Sequence, residues 1–98
     1  GILEITRALD SAKDRIDMGD VLAALIKMRS GAGIKRLYYL IDLLSFPINT
    51  KTRELLEINI TSGFSKLDPL ASKEGTFSRK YRLILNIPKK QMICDGET

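Results

Sequence analysis

Apolar positions in the first half of the chain recur with helical spacing, and in the second half the period shortens to two. Ile2, Ile5, Leu9, Ala12 and Ile16 fall on one helical stripe, with Glu4, Arg7, Asp10 and Asp14 mostly off it. The spacing predicts a helix from Leu3 to Asp14. Asp17 is a good N-cap for the next helix, and Asp20 stands in its first turn near the positive end of the dipole. That helix is expected to run to Arg29 and to bury Val21, Leu22, Leu25, Ile26 and Met28. Ser30-Gly31-Ala32-Gly33 breaks the pattern and reads as a C-cap and tight turn. A third helix is expected from Ala32 to Leu44. Ile34, Leu37, Tyr38, Leu40, Ile41, Leu43 and Leu44 cover more than half its circumference, which suits a central helix packed on two sides. Pro47 closes it. Asn49 or Thr50 can cap a shorter fourth helix ending near Ile58, with Leu55, Leu56 and Ile58 as its apolar positions.

Ser62-Gly63 marks a turn, after which Phe64 to Leu67 alternates apolar with polar and reads as a short strand. Asp68-Pro69 is a turn dipeptide in which the Asp side chain bonds local backbone. Pro69 to Ser78 reads as loop, with a positive φ expected at Gly75. Lys80 to Ile87 alternates again. Tyr81, Leu83, Leu85 and Ile87 share one face, and Arg82, Ile84 and Asn86 the other. The expected fold is therefore α+β, about four helices followed by a short antiparallel β unit, in one domain over residues 1–88. The polar tail 89–98 is expected to fray.

Composition narrows the functional classes. A chain of 98 residues has room for one modest core. It holds no His and a single Cys, Cys94, so a disulfide within the chain is excluded. The same shortage argues against a zinc or other soft-metal site, and no cofactor is implied. A small domain without disulfide staples favours the cytoplasm. The longest apolar run, Val21 to Ile26, is far too short to span a membrane. Gly1 in place of an initiator Met fits a tag scar or a segment cut from a longer protein, and the cut is the expectation.

Charge is distributed unevenly. Residues 1–60 carry nine Lys/Arg against eight Asp/Glu, whereas residues 61–90 carry seven against two. A basic half raises the prospect of a polyanionic partner. Strand alternation would put Lys66, Lys80 and Arg82 on one outward face suited to phosphate contacts, with Phe64 and Tyr81 packed inward. Catalytic candidates are weak. Asp10, Asp14, Asp17 and Asp20 read as a solvated face and a helix start, and no His is present as a base. Gly31, Gly33 and Lys35 follow a helix, so they do not make a phosphate loop. No catalytic residue is assigned.

Four segments carry a family resemblance. They are Lys35-Arg36-Leu37-Tyr38-Tyr39-Leu40-Ile41-Asp42-Leu43-Leu44, then Ser62-Gly63-Phe64-Ser65-Lys66-Leu67-Asp68-Pro69, then Glu74-Gly75, then Arg79-Lys80-Tyr81-Arg82-Leu83-Ile84-Leu85-Asn86-Ile87. In that order they resemble the C-terminal domain of AbiEi-type proteins, whose pattern looks like R-L-G-Y-L-L-E-L-L, G-Y-x-x-L-D-P, E-G and R-W-R-L-x-V-N. Ala8 to Met18 also looks like the family's preceding helix. Tyr38 replaces the family's usual Gly, Phe64 its Tyr, and Tyr81 its Trp.

The resemblance implies the non-catalytic antitoxin domain of a transcriptional regulator in a phage-defence operon. Such a domain counteracts a nucleotidyltransferase toxin without a stable complex. Promoter DNA would be bound by a winged-helix domain preceding this segment. The resemblance implies that a basic surface here assists, with Lys35, Arg36, Lys66, Arg79, Lys80 and Arg82 as the candidate nucleic-acid or partner-binding residues. Two other readings stand beside it. Three helices followed by two strands is also winged-helix order, with Asn49–Ile58 as recognition helix and 69–78 as wing. A homodimer through the first helix, exposing Ile2, Leu3 and Ile5, would make this a protein–protein module.

Overall fold

The computed structural model describes residues 1–94. Helices α1 (Ile2–Ser11), α2 (Met18–Lys27), α3 (Gly31–Leu43) and α4 (Thr50–Ile58) precede strands β1 (Ser65–Lys66), β2 (Thr76–Ser78) and β3 (Leu83–Leu85), and α5 (Lys89–Cys94) follows. The class is α+β, as the periodicity predicts.

α3 is enclosed on two sides. Ile34, Leu37, Tyr38, Ile41 and Leu44 pack with Met18 and Leu22 of α2, Phe46, and Leu56 of α4. Tyr39 and Leu40 pack instead with Ile2 of α1, Leu67, Leu83 of β3 and Met92 of α5. Leu22, Leu56, Leu67 and Leu83 are essentially inaccessible to water. Each such side chain stabilises the fold by roughly 1.5–3 kcal/mol relative to exposure.

Helix starts follow the expected chemistry. Asp17 Oδ1 accepts from Gly19 N at 2.8 Å, and Asn49 Oδ1 accepts from Thr52 N at 2.8 Å. The glycine-rich break differs from expectation. Ser30 Oγ accepts from Gly33 N at 3.2 Å, so Ser30 caps α3 and both glycines lie inside its first turn. The left-handed residue that ends α2 is Arg29, at φ 56°, with Ser30 N bonded to Leu25 O at 3.0 Å. A strong N-cap directly after α2 leaves no loop for the glycines to occupy.

The buried face of α1 is rotated from the predicted stripe. Ile5 is 54% exposed, and Thr6 is buried in its place. The Thr6 hydroxyl donates to Ile2 O at 2.7 Å, which satisfies it without water. α1 ends at Ser11, and the turn after it lets Lys13 Nζ donate to Leu44 O at the end of α3. Met28 and Ile58, expected inside, are exposed because each stands at or beyond the end of its helix.

The β unit is mixed rather than antiparallel. β3 is central, with β1 parallel to it (Ser65 opposite Leu83, Lys66 opposite Ile84). β2 is antiparallel on the other edge, with Thr76 opposite Leu85, Phe77 opposite Ile84 and Ser78 opposite Leu83. β2 lies in the segment read as loop, since three residues are too few to show a period. β3 is shorter than the predicted strand because Arg82, at φ 54°, interrupts the extended run. Tyr81, Leu83, Leu85 and Ile87 nonetheless pack against the second core as the alternation predicts. Asp68 Oδ1 accepts from Leu70 N at 2.9 Å, the expected turn bond.

The tail also departs from expectation. Lys89–Cys94 forms α5, and Met92 is buried because it fills the second core. Residues 95–98 of the expected frayed tail lie outside the described residues.

No glycine among the described residues has a positive φ, so Gly75 is required for another reason. A Cβ there would stand 2.4 Å from Leu85 O and 2.8 Å from Asn86 Cα. Backbone cannot move aside as a side-chain tip can. Gly75→Ala is expected to cost about 1–3 kcal/mol. Urea unfolding checks this, as a lower midpoint with an unchanged slope.

Candidate nucleic-acid or partner interface

The six basic residues singled out from the sequence divide into three groups. Lys35 and Arg36 tie α3 to the segment around β1. Lys35 is 3% exposed and its Nζ donates to Gly63 O at 2.6 Å. Burial lowers its pKa, and the nearby charge of Arg82 lowers it further. Arg36 donates through Nε at 3.0 Å and Nη2 at 2.9 Å to the carbonyl of Lys66. Both cations satisfy carbonyls of their own chain.

Lys80 belongs to a polar hub built on Asp42. Asp42 Oδ2 accepts from the Tyr81 hydroxyl at 2.7 Å and lies 3.1 Å from Lys80 Nζ. Asp42 Oδ1 accepts from Nη1 and Nη2 of Arg53, both at 3.2 Å. One carboxylate therefore joins α3, α4 and the turn before β3. Three tyrosines pack beside it. Tyr81 meets Tyr38 and Tyr39 edge to face, at ring separations of 5.0 and 5.2 Å. Lys80 Nζ sits over the rings of Tyr81 and Tyr38. The Tyr38 hydroxyl donates to Glu57 Oε2 at 3.3 Å.

The hub shifts its own ionisations. Burial alone would push Asp42 up, but bonds from Tyr81 and Lys80, the charge of Lys80, and the bond from Arg53 outweigh it and hold Asp42 low. Burial, then the Asp42 bond, push Tyr81 up to about 12. Tyr39 is raised by burial, and Tyr38 by burial and then by Glu57.

Lys66, Arg79 and Arg82 belong to the outer side of the sheet. Lys66, Ile84 and Phe77 form one row across the three strands, on the face opposite Leu83. Lys66 Nζ donates to Ala71 O at 3.0 Å. Arg79 and Arg82, with Phe64 and Phe77, line an open cleft of about 620 Å³. The expected common face of Lys66, Lys80 and Arg82 is thus divided. Lys80, still largely exposed, pairs with Asp42, whereas Arg82, at a left-handed φ of 54°, lies over Phe64. Phe64, expected inside, is 38% exposed, and Phe77 is 60% exposed. Phe77 escaped the sequence reading because β2 did. Its pairing with Phe64, at 5.1 Å, joins residues that no local pattern links.

Residues 69–75 link β1 to β2 and 76–78 are β2 itself, while β1 and β3 run parallel, so 69–78 do not form the hairpin loop of a wing. In α1, Ile2 is buried within its own chain and Leu3 is half-buried, leaving Ile5 as the exposed apolar residue. Among the described residues no three of His, Cys, Asp and Glu converge as metal ligands. Likewise, no helix among them is long and apolar enough to cross a membrane. In comparison with known proteins, the chain matches no family model, no curated protein and no solved structure.

Two predictions follow from the hub. All three tyrosines are raised above 10.0, so phenolate absorbance in the folded protein should lag that of the unfolded chain. Because the folded value is the higher one, Tyr81 contributes stability that is present below 10.0 and lost as pH rises through about 12. Tyr81→Phe should remove the most delayed step of the titration. Asp42 has the opposite sign. Its stabilisation is present above 3.8 and is lost as pH falls below it. Asp42→Asn should cost about 1–3 kcal/mol at neutral pH. It should also flatten the acid limb of melting temperature against pH, and an unaltered acid limb would contradict the assignment.

Proposed function

We propose that residues 1–88 form the non-catalytic C-terminal antitoxin domain of an AbiEi-like transcriptional regulator. It acts in the cytoplasm and counteracts a nucleotidyltransferase toxin of a phage-defence operon without forming a stable complex with it. A winged-helix domain elsewhere in the whole protein supplies promoter binding.

One observation supports this reading: the segments that carry the resemblance interlock. Arg36 of the first bonds the Lys66 carbonyl of the second. Asp42 of the first receives Tyr81 and Lys80 of the fourth. Asn86 at the end of the fourth donates to Asp68 O at 2.9 Å and accepts from Asp68 N at 2.9 Å, reaching back to the second. Gly75 of the third admits the backbone of Leu85. Short motifs matched by accident have no reason to bond to one another. Mutually dependent ones recur together, because losing one partner strands the other. Tyr81 in place of Trp fits the same account, since its hydroxyl makes the Asp42 bond that an indole N–H could make.

The test is co-expression of this chain with the nucleotidyltransferase toxin encoded beside it. Growth should recover, while size-exclusion chromatography of the two proteins shows no joint peak. A folded, expressed chain that leaves the cells arrested would overturn the reading.

A further inference from the structure

We propose that the outer face of the sheet binds single-stranded nucleic acid. An unpaired base would stack in the Phe64–Phe77 cleft, and its flanking phosphates would be held by Arg79 and Arg82.

Three observations carry this. The first is exposure. Phe77 is 60% and Phe64 is 38% exposed, and the two rings meet edge to face at 5.1 Å and 61°. Two large apolar rings are thereby left in water side by side, although the chain buries its other aromatic residues at least partly. The second is composition. Phe64, Phe77, Arg79 and Arg82 line the cleft, and no acidic side chain is among its lining residues. The Arg82 guanidinium lies 5.4 Å from the centre of the Phe64 ring, an arrangement that takes a flat π-surface on one side and an anion on the other. The third is the surrounding field. Residues 61–90 carry seven cations against two anions, Arg79 and Arg82 of the cleft among them.

Basic charge by itself would serve any polyanion. Exposed aromatic faces discriminate. A duplex hides its base faces within its own stack, whereas a single strand offers them, and every base has one. Ribose and deoxyribose strands share this chemistry, so the sugar is decided by experiment. The inference does not rest on the antitoxin reading, and oligonucleotide binding and toxin rescue are scored separately.

The experiment is fluorescence anisotropy of a labelled single strand of about 12 nucleotides, within the usual reach of such sites. It is run as RNA and as DNA, against the same sequence as duplex, with polyglutamate as a competitor that has charge but no bases. At near-physiological salt the single strand should bind more tightly than the duplex, and polyglutamate should displace it poorly. Phe77→Ala should weaken binding by roughly 5- to 100-fold, and Phe77→Tyr should retain it. Arg79→Ala should lower the salt slope by about one. Circular dichroism should be unchanged, because neither side chain is buried. A preference for RNA or for DNA names the sugar, and either supports the site. Equal or tighter duplex binding, displacement by polyglutamate as easily as by unlabelled strand, or a Phe77→Ala variant that binds like the parent would each overturn it. So would absence of single-strand binding by the intact chain.

Discussion

A helix that is apolar around most of its circumference has to be enclosed, and α3 is such a helix. From Ile34 to Ile41 only Arg36 escapes full burial. The rest of the architecture answers that requirement. α2 and α4 cover one side, while α1, the sheet and α5 cover the other. Neither layer has a core without α3, so neither would be stable by itself. α5 is a small element with a large consequence on this account, because Met92 completes the second core.

Enclosing the helix creates a second difficulty. Polar side chains on α3 are carried inside with the apolar ones, and each needs a partner. Lys35, Arg36 and Asp42 find theirs in the second half of the chain: the carbonyls of Gly63 and Lys66, and the side chains of Arg53, Lys80 and Tyr81. These bonds set how the sheet sits on α3 as much as the apolar contacts do. They also give Lys35 and Arg36 a structural task, since each satisfies a carbonyl of its own chain. A cation that satisfies a carbonyl of its own chain is part of the fold. The basic groups that line an open cleft, Arg79 and Arg82, do so beside two exposed phenylalanines.

Much of the helical half was legible. The Asp17 and Asn49 caps, the central position of α3 and the end of each helix within a few residues all follow from side-chain period and cap chemistry. The face of α1 was not, because Thr6 is polar by composition and buried by virtue of one bond to Ile2 O. The sheet was less legible still. Strands of two and three residues are shorter than any recognisable period, and a parallel pair needs knowledge of where the intervening chain travels. Of the candidate interface, the abundance of basic residues was visible, but its division into structural ties and exposed groups was not.

The sequence by itself determined the first four helices, the Asp17 and Asn49 caps, the class of fold and the uneven charge. Those properties are set by neighbours within one or two turns or by composition alone. Tertiary structure decided the strand directions, the Asp42 hub and the pairing of Phe64 with Phe77. Apart from the local β2–β3 pairing, each of these joins residues separated by more than ten positions, and their approach depends on how α3 is covered. The split between Lys80 at Asp42 and Arg82 at Phe64 falls at a single left-handed residue between turn and strand. Glycine would have marked such a place in the sequence, and arginine does not.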